Sequence, residues 1–405
     1  MLGQVVIVGA SAAGLSAAEA LRAKGYDGRL TLVGEERRLP YDRPPLSKQI
    51  LSGQWQPERL QLRDEAAIGR LDAELRLGET AIGLDVARRE LVLDGGGLTF
   101  DGLVIATGVR PWRLSGDDVA GVCSIRSLDD ALALRAALQA GQKVVVVGTG
   151  FLGTEVAAAS RDLNLDVTLV GRQSSPLERQ FGAQVGELVA QTHSDHGVRL
   201  LMNTGVLRFI SAGRRVTGVE LSDHRVINAD VVVVAVGATP ATTWLADSGL
   251  RIGDGVECDA GCRAAPGIYA AGDVASWYNP LFDRQMRVEH RLNATEQGAA
   301  AAANLLGADR PFASVPYFWS HQYDARLQAY GIFSTGAETT VVYGAVADRT
   351  FATAYVENGT VVGVLGWNCP PRRLRELRQL VVDRDTLRRD TAHAAEDVLV
   401  VRQPG

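Results

Sequence analysis

Residues 143–153 read Lys143-Val-Val-Val-Val-Gly148-Thr-Gly150-Phe-Leu-Gly153. Four consecutive valines form the short β-branched run expected of a strand buried on both faces of a parallel sheet. The three glycines that follow keep the G-x-G-x-x-G spacing. The first permits a tight turn, the second lets the backbone approach a pyrophosphate, and the third lets the next helix pack closely on the strand. The pattern predicts a helix from Gly153 to about Leu163 and a second strand over Asp166–Val170. Strand, glycine turn, helix and strand make a βαβ unit, which implies an α/β protein with a parallel sheet.

Working outward, the same unit recurs about 140 residues earlier. Gln4-Val-Val-Ile-Val-Gly9 reads as a strand, Ala12 to Lys24 as a helix and Arg29-Leu-Thr-Leu-Val-Gly34 as the next strand. The turn is Gly9-Ala-Ser11-Ala-Ala13-Gly14, with serine in the middle position. Serine is small enough for the phosphate approach, and its hydroxyl can bond a phosphate; the helix N-terminus adds its positive dipole end. Glu35 and Glu36 follow the second strand, where an acid holds a ribose hydroxyl. Two dinucleotide sites in one chain imply two different dinucleotides meeting. FAD with a nicotinamide is the chemically sensible pair, because flavin accepts hydride directly.

The second unit departs from the NADH pattern. Gly171 stands where the acid is expected, and Arg172 follows. A carboxylate would repel the 2′-phosphate of NADPH and an arginine would attract it. At 4 Å and an effective dielectric of 20 a unit-charge pair is worth about 4 kcal/mol, and a third of that is still about tenfold in affinity. The expectation is NADH or NADPH, with NADPH favoured. The alternative for Arg172 is a solvated surface charge.

Further strands end in glycine turns. Gly102-Leu-Val-Ile-Ala-Thr107-Gly108 precedes Arg110-Pro111, Ala229 to Gly237 precedes Thr239-Pro240, and Gly267-Ile-Tyr-Ala-Ala-Gly272-Asp273 follows later. From about Pro316 the texture changes. Val341–Gly344, Thr350–Val356 and Val361–Trp367 read as antiparallel strands, and Arg372 to Leu387 as a charged helix, so residues 320–405 are expected to form an α+β domain.

With 405 residues the chain suits two or three domains. A hydrophobic share of 46% and a charged share of 22% are those of a globular protein, and a net charge of −5 argues against nucleic acid as the main partner. Met1 leads straight into the first strand rather than into a signal peptide, and no apolar stretch reaches the roughly 20 residues that span a bilayer. A cytoplasmic protein, monomeric or homodimeric, is expected. The cysteines are Cys123, Cys258, Cys262 and Cys369. No Cys-x-x-Cys pair or metal-site spacing occurs, so they are read as reduced structural thiols, with no metal site.

With the turns in place, other segments become recognisable. The chain resembles the ferredoxin-reductase family of FAD proteins, which includes putidaredoxin reductase, rubredoxin reductase and the reductases of aromatic dioxygenases; apoptosis-inducing factor is a more distant relative. The resemblance covers nearly the whole chain. Its most specific piece is Pro40-Tyr-Asp-Arg43-Pro-Pro-Leu-Ser-Lys48, supported by Ala106-Thr-Gly108, Arg126-Ser-Leu-Asp-Asp130, Gly148 to Glu155, Ala271-Gly-Asp273, Asn293 to Gln297 and Phe318-Trp319-Ser.

The resemblance implies a glutathione-reductase-like fold: two Rossmann-like dinucleotide-binding domains plus a C-terminal α+β domain over the flavin. The expected division is 1–109 and 241–319 for FAD, 110–240 for NAD(P) and 320–405 for the C-terminal domain. Carried over residue by residue, Ala13 and Glu36 lie at the adenosine–pyrophosphate part of FAD and Ala81 on its adenine side. Lys48 and Arg126 contact the cofactor, and Asp273 binds a ribityl hydroxyl. Arg43, Thr107, Gly108, Gly272 and Trp319 join the FAD set, and Gly237 the nucleotide sites. Lys48 and Glu155 resemble a pair beside the flavin N5, where a lysine stabilises the negative charge developing on reduced flavin.

Departures bear on the electron acceptor. The usual Trp-Ser-Asp-Gln-Tyr is here Trp319-Ser-His321-Gln-Tyr323, and Arg291, after His290, replaces an apolar residue. If they face the flavin, His290, Arg291 and His321 bring positive or titratable groups to it; the alternative is that they face the surface. No cysteine lies in residues 35–60, so electrons leave directly from flavin. The resemblance implies transfer from NAD(P)H through FAD to a 2Fe-2S or similar ferredoxin, and on to a cytochrome monooxygenase or dioxygenase. Arg372, Arg373, Arg375 and Arg378 could dock an acidic ferredoxin, or form a solvated helix face. Two other readings stay open: a flavoenzyme acting on a small organic substrate, and a redox-sensing interaction protein like apoptosis-inducing factor.

Overall fold

The computed structural model describes residues 2–334, 336–384 and 386, and divides into two compact units. The first comprises residues 1–178 and 183–314, the second residues 179–182 and 315–405.

The first unit is built on two parallel sheets. In one, Gln4–Val8 is flanked by Arg29–Gly34 and Gly102–Ile105; Glu74–Leu77 lies beyond the former and Ile268–Ala270 beyond the latter, with Arg263–Ala265 as an antiparallel edge. In the other, Lys143–Val147 is flanked by Asp166–Val170 and Val231–Val234, with Arg199–Leu201 and Val122–Cys123 outermost. The central strands are buried along their β-branched residues, Val5, Val6 and Ile7 in one and Val144, Val145 and Val146 in the other. That is why neither shows the alternation of a one-sided strand.

Both units predicted from the glycine turns form. Helices Ala12–Ala23 and Phe151–Asp162 follow the two turns. The second helix begins two residues earlier than expected, at Phe151, because Gly150 serves as its N-cap. The turns match hydrogen bond for hydrogen bond. Gly9 N–H donates to Val33 O at 2.8 Å, and Ala106 N–H to Val8 O at 2.7 Å. Gly148 N–H donates to Val170 O at 2.9 Å, and Ala235 N–H to Val147 O at 2.7 Å. An antiparallel ribbon, Val109–Pro111 with Ala238–Pro240, carries the two crossings between the sheets.

The second unit holds a five-stranded antiparallel sheet, in the order Tyr317–Gln322, Ala325–Gly331, Thr360–Trp367, Thr350–Glu357, Glu338–Ala345. Helix Pro371–Val382 is shorter than the stretch expected to Leu387; residue 387 and those after it lie outside the described residues. The unit also takes in residues 179–182 from the middle of the chain. Tyr355 Oη donates to Phe181 O at 2.7 Å, and the Phe181 and Phe333 rings meet edge to face at 5.0 Å. Among the described residues no helix is long and apolar enough to cross a membrane.

Candidate functional site

Each glycine turn is a cradle with its backbone laid bare. Gly9 and Gly148 hold φ of 118° and 113°, which favour glycine. A Cβ on Gly9 would strike the Ala106 carbonyl, and one on Gly148 the Ala235 carbonyl. A Cβ on Gly14 would strike Gly9 O, and one on Gly153 would strike Gly148 O. These collisions explain the spacing: each helix rests directly on the turn that begins it. Ser11 caps its helix in an extended conformation but bonds none of its N–H groups through its hydroxyl. Open helix N–H groups, the Ser11 hydroxyl and side-chain-free backbone are what a pyrophosphate requires, so both cradles fit a dinucleotide.

Around the first cradle the expected residues converge from distant segments. Gly272, at φ 77°, faces Ala13: a Cβ there would stand 3.1 Å from the Ala13 methyl. Gln297 accepts the Gly272 N–H at 2.9 Å. The adjoining Asp273 is 3.4 Å from the Arg126 guanidinium, which lies under Gly108. Burial lowers the Arg126 pKa, opposed by the Asp273 charge. A guanidinium so placed would gain from an anionic group of a bound cofactor. Thr107 donates its hydroxyl to Ala241 O at 3.0 Å.

Glu36 is held from two sides, by Arg43 at 2.6 Å and by the Tyr41 hydroxyl at 2.5 Å. Tyr41 Oη also accepts the Leu128 N–H at 2.9 Å, and Arg43 donates to Arg126 O at 2.7 Å. One short segment therefore anchors Glu36 and the start of helix Leu128–Ala140. Burial raises the Tyr41 pKa to about 12, so it stays a neutral donor. Glu35 does not join this group; it pairs with Arg110 at 2.9 Å on the surface. Ala81 opens strand Ala81–Asp85 of a separate three-stranded sheet.

Lys48 and Glu155 meet across the fold. Lys48 ends the 3-10 turn Pro44–Ser47, and Glu155 sits on the helix that the second cradle opens. Lys48 Nζ lies 2.6 Å from Glu155 Oε2, with side-chain exposures of 15% and 7%. Ser47, itself buried, donates to the same oxygen at 2.6 Å. Sequence reasoning missed Ser47 and Tyr41 as individual contributors, although both lie inside Pro40–Lys48, the segment that carried the resemblance.

The cationic departures are accounted for locally. Arg291 pairs with Asp42 at 2.6 Å and also bonds Thr295, so its charge is compensated. His290 caps helix Arg291–Leu305, its Nδ1 accepting the Leu292 N–H at 3.2 Å. Burial, aided by Arg291, lowers its pKa to about 4, so it is neutral at pH 7. Trp319 and His321 belong to the second unit, on strand Tyr317–Gln322, where Trp319 stacks on Tyr317 at 5.7 Å.

At the second cradle Gly171 lies against Thr149; a Cβ there would stand 2.8 Å from its Oγ1. Arg172 runs exposed alongside Gly205 and has no ion-pair partner among the described residues. Gly237, at φ 121°, closes the loop after Val231–Val234. The four cysteines are free, and burial raises every thiol, that of Cys262 to about 12.

Two dinucleotide cradles in one unit, with a shielded lysine–carboxylate pair on the helix that the second one opens, define a class: oxidoreductases that bring two dinucleotides together. The chain belongs to the pyridine nucleotide-disulphide oxidoreductase family, whose model matches residues 3–298, and residues 317–400 match the Reductase C-terminal model. It is an oxidoreductase using FAD and NAD(P)H. It is 41% identical over 85% of its length, and 86% of the relative's, to the anthranilate 1,2-dioxygenase system ferredoxin--NAD(+) reductase component of Burkholderia cepacia. Among solved structures it resembles the ferredoxin reductase for the CYP199A2 system from Rhodopseudomonas palustris, at TM-score 0.91 and 33% identity over 95% of this chain and 96% of that one. It also resembles the covalent putidaredoxin reductase–putidaredoxin complex, at TM-score 0.89 and 33% identity over 94% of this chain and 93% of that one.

Proposed function

We propose that this protein draws electrons from NAD(P)H and delivers them through FAD to a small iron–sulfur ferredoxin that serves a cytochrome monooxygenase or a dioxygenase. The observation that carries the reading is the Lys48–Glu155 pair, largely shielded from solvent and set on the helix that the second cradle opens. When bound, the flavin accepts a hydride from the reduced nicotinamide and gives up electrons one at a time. On this reading Gly9, Ser11, Ala13, Gly14 and Arg126 hold the FAD phosphates, Glu36 and Arg43 its adenosine end, and Asp273 its ribityl chain. Lys48 places a positive charge where negative charge develops on the flavin, and Glu155 and Ser47 fix its position.

The thiols support direct delivery from flavin. Burial raises the pKa of Cys258 and Cys262, which leaves neither poised as a thiolate acceptor. Arg372 and Arg375 project from helix Pro371–Val382, while Arg378 lies over the Tyr330 ring at 5.7 Å. We assign this basic face to an acidic ferredoxin, since small electron-transfer contacts are electrostatically steered.

We further propose NADPH as the favoured donor, on the exposed, unpaired Arg172 and the glycine that replaces the acid before it. We likewise propose the division 1–109 with 241–319 for FAD, 110–240 for NAD(P) and 320–405 for the C-terminal domain, and a cytoplasmic location.

The test is reduction of cytochrome c by NADPH and by NADH, with and without a 2Fe-2S ferredoxin. Strong ferredoxin dependence is the expected result. Turnover of an organic substrate without ferredoxin, or only slow flavin reduction, would overturn the reading.

A further inference from the structure

The order of strands in the second sheet locates each half of a bound dinucleotide. Lys143–Val147 stands where the order reverses, with Asp166–Val170 on one side and Val231–Val234 on the other. In such sheets the adenosine ribose lies at the end of the strand that follows the glycine turn and its helix, and the rest of the dinucleotide crosses the reversal point. Here the adenosine side is the end of Asp166–Val170, at Gly171 and Arg172. The nicotinamide half therefore passes over residues 235–237, just beyond Val231–Val234.

Trp112 stands at that place. Its backbone N–H donates to Gly237 O at 2.9 Å. Its six-membered ring lies 3.5 to 3.7 Å from where a Gly237 side chain would start. The Gly148 turn packs against the other end of the same stretch, where a Cβ would touch Val236 N at 3.1 Å. Cradle and indole thus meet the same three-residue stretch, 235–237, at its two ends. The mounting is stiff: Trp112 directly follows Val109–Pro111, which pairs with Ala238–Pro240, and each strand carries a proline. Yet the residue is 52% exposed. A fixed, half-uncovered aromatic ring beside a nucleotide cradle offers a stacking surface at little entropic cost.

We propose that Trp112 is the aromatic wall of the second nucleotide site, against which the nicotinamide riboside half of NAD(P)H packs. The proposal rests on the dinucleotide reading of the Gly148 turn and adds a binding residue to it. Gly237 has no side chain, so the indole rather than residue 237 presents the packing surface at this edge. An alternative occupant of the exposed ring is a partner protein, and the test separates the two.

The experiment is calorimetric titration of the FAD-loaded protein with NADP+ and with NAD+, comparing wild type, Trp112→Ala and Trp112→Phe. Flavin content and absorbance should match in all three, which certifies the fold. Loss of a stacked aromatic should weaken nucleotide binding roughly five- to tenfold in Trp112→Ala, while Trp112→Phe stays close to wild type. Nucleotide should quench part of the tryptophan fluorescence of wild type, and that part should be missing from both variants. Unchanged affinity in Trp112→Ala would overturn the proposal and leave the dinucleotide site standing, as would equal weakening in both variants. Failure of wild type to bind either nucleotide would overturn the reading of the site itself.

Discussion

Lys48 and Glu155 stand 2.6 Å apart although they lie 107 positions apart in the chain, Lys48 at the end of the turn Pro44–Ser47 and Glu155 on the helix that the second glycine turn opens. Removing either partner leaves a buried charge without its counterpart, a loss of about 3–5 kcal/mol in comparable pairs. Glu155→Gln should therefore lower the unfolding midpoint of the holoprotein. Lys48→Met should slow flavin reduction by about 10²-fold, the scale for losing one group that stabilises developing negative charge. Stopped-flow flavin absorbance measures the rate, and an unchanged rate would remove Lys48 from the chemistry. Ser47→Ala should fall between wild type and Glu155→Gln.

The two cradles should fail separately. A Cβ on Gly14 meets the Gly9 carbonyl, and one on Gly153 meets the Gly148 carbonyl. Gly14→Ala should reduce the FAD recovered with the purified protein. Gly153→Ala should keep FAD but weaken NAD(P)H binding roughly tenfold, about 1.4 kcal/mol. Flavin content and nucleotide titration distinguish the two outcomes.

Coenzyme choice should turn on the end of strand Asp166–Val170. Arg172→Glu replaces an attractive charge with a repulsive one. The ratio of kcat/KM for NADPH over NADH should fall by at least about tenfold, by the Coulomb scale for a partly exposed pair. A ratio that does not move would make Arg172 a bystander.

His290 gives the stability a pH dependence. Its pKa is lowered to about 4 by burial and by Arg291, against 6.5 for an ordinary histidine. Between those values the unfolded chain binds the proton and the folded chain does not, so stability falls as pH drops from 6.5 towards 4. Above 6.5 His290 contributes no slope. His290→Asn, which retains a capping side chain, should flatten that part of the curve in urea unfolding.

The two βαβ units were legible because everything that specifies them is local: a β-branched run, glycines at fixed spacing and a helix of small residues. The Lys48–Glu155 pair has no local signature, and only the resemblance brought the two together. Asp42 with Arg291 was illegible for the same reason, being a partnership across 249 positions. From sequence Arg291 was an unusual cation; in the fold it is half of an ion pair. The membership of residues 179–182 in the second unit left no trace in their composition, because it depends on what Tyr355 and Phe333 find beside them. The strand pattern offered Glu35 and Glu36 alike and only the resemblance singled out Glu36; in the fold Glu36 meets Arg43 and Glu35 pairs with Arg110.

The first sheet also has an unusual birth order. Its strand Gly102–Ile105 pairs with Gln4–Val8 on one edge and with Ile268–Ala270 on the other. All five strands of the second sheet are complete by Val234. On the ribosome the second sheet can close while the first still has an open edge awaiting a strand that has not been synthesised. An open edge of apolar residues invites mispairing. The nascent chain therefore carries that open edge from the emergence of residue 105 until residues 268–270 arrive to cover it.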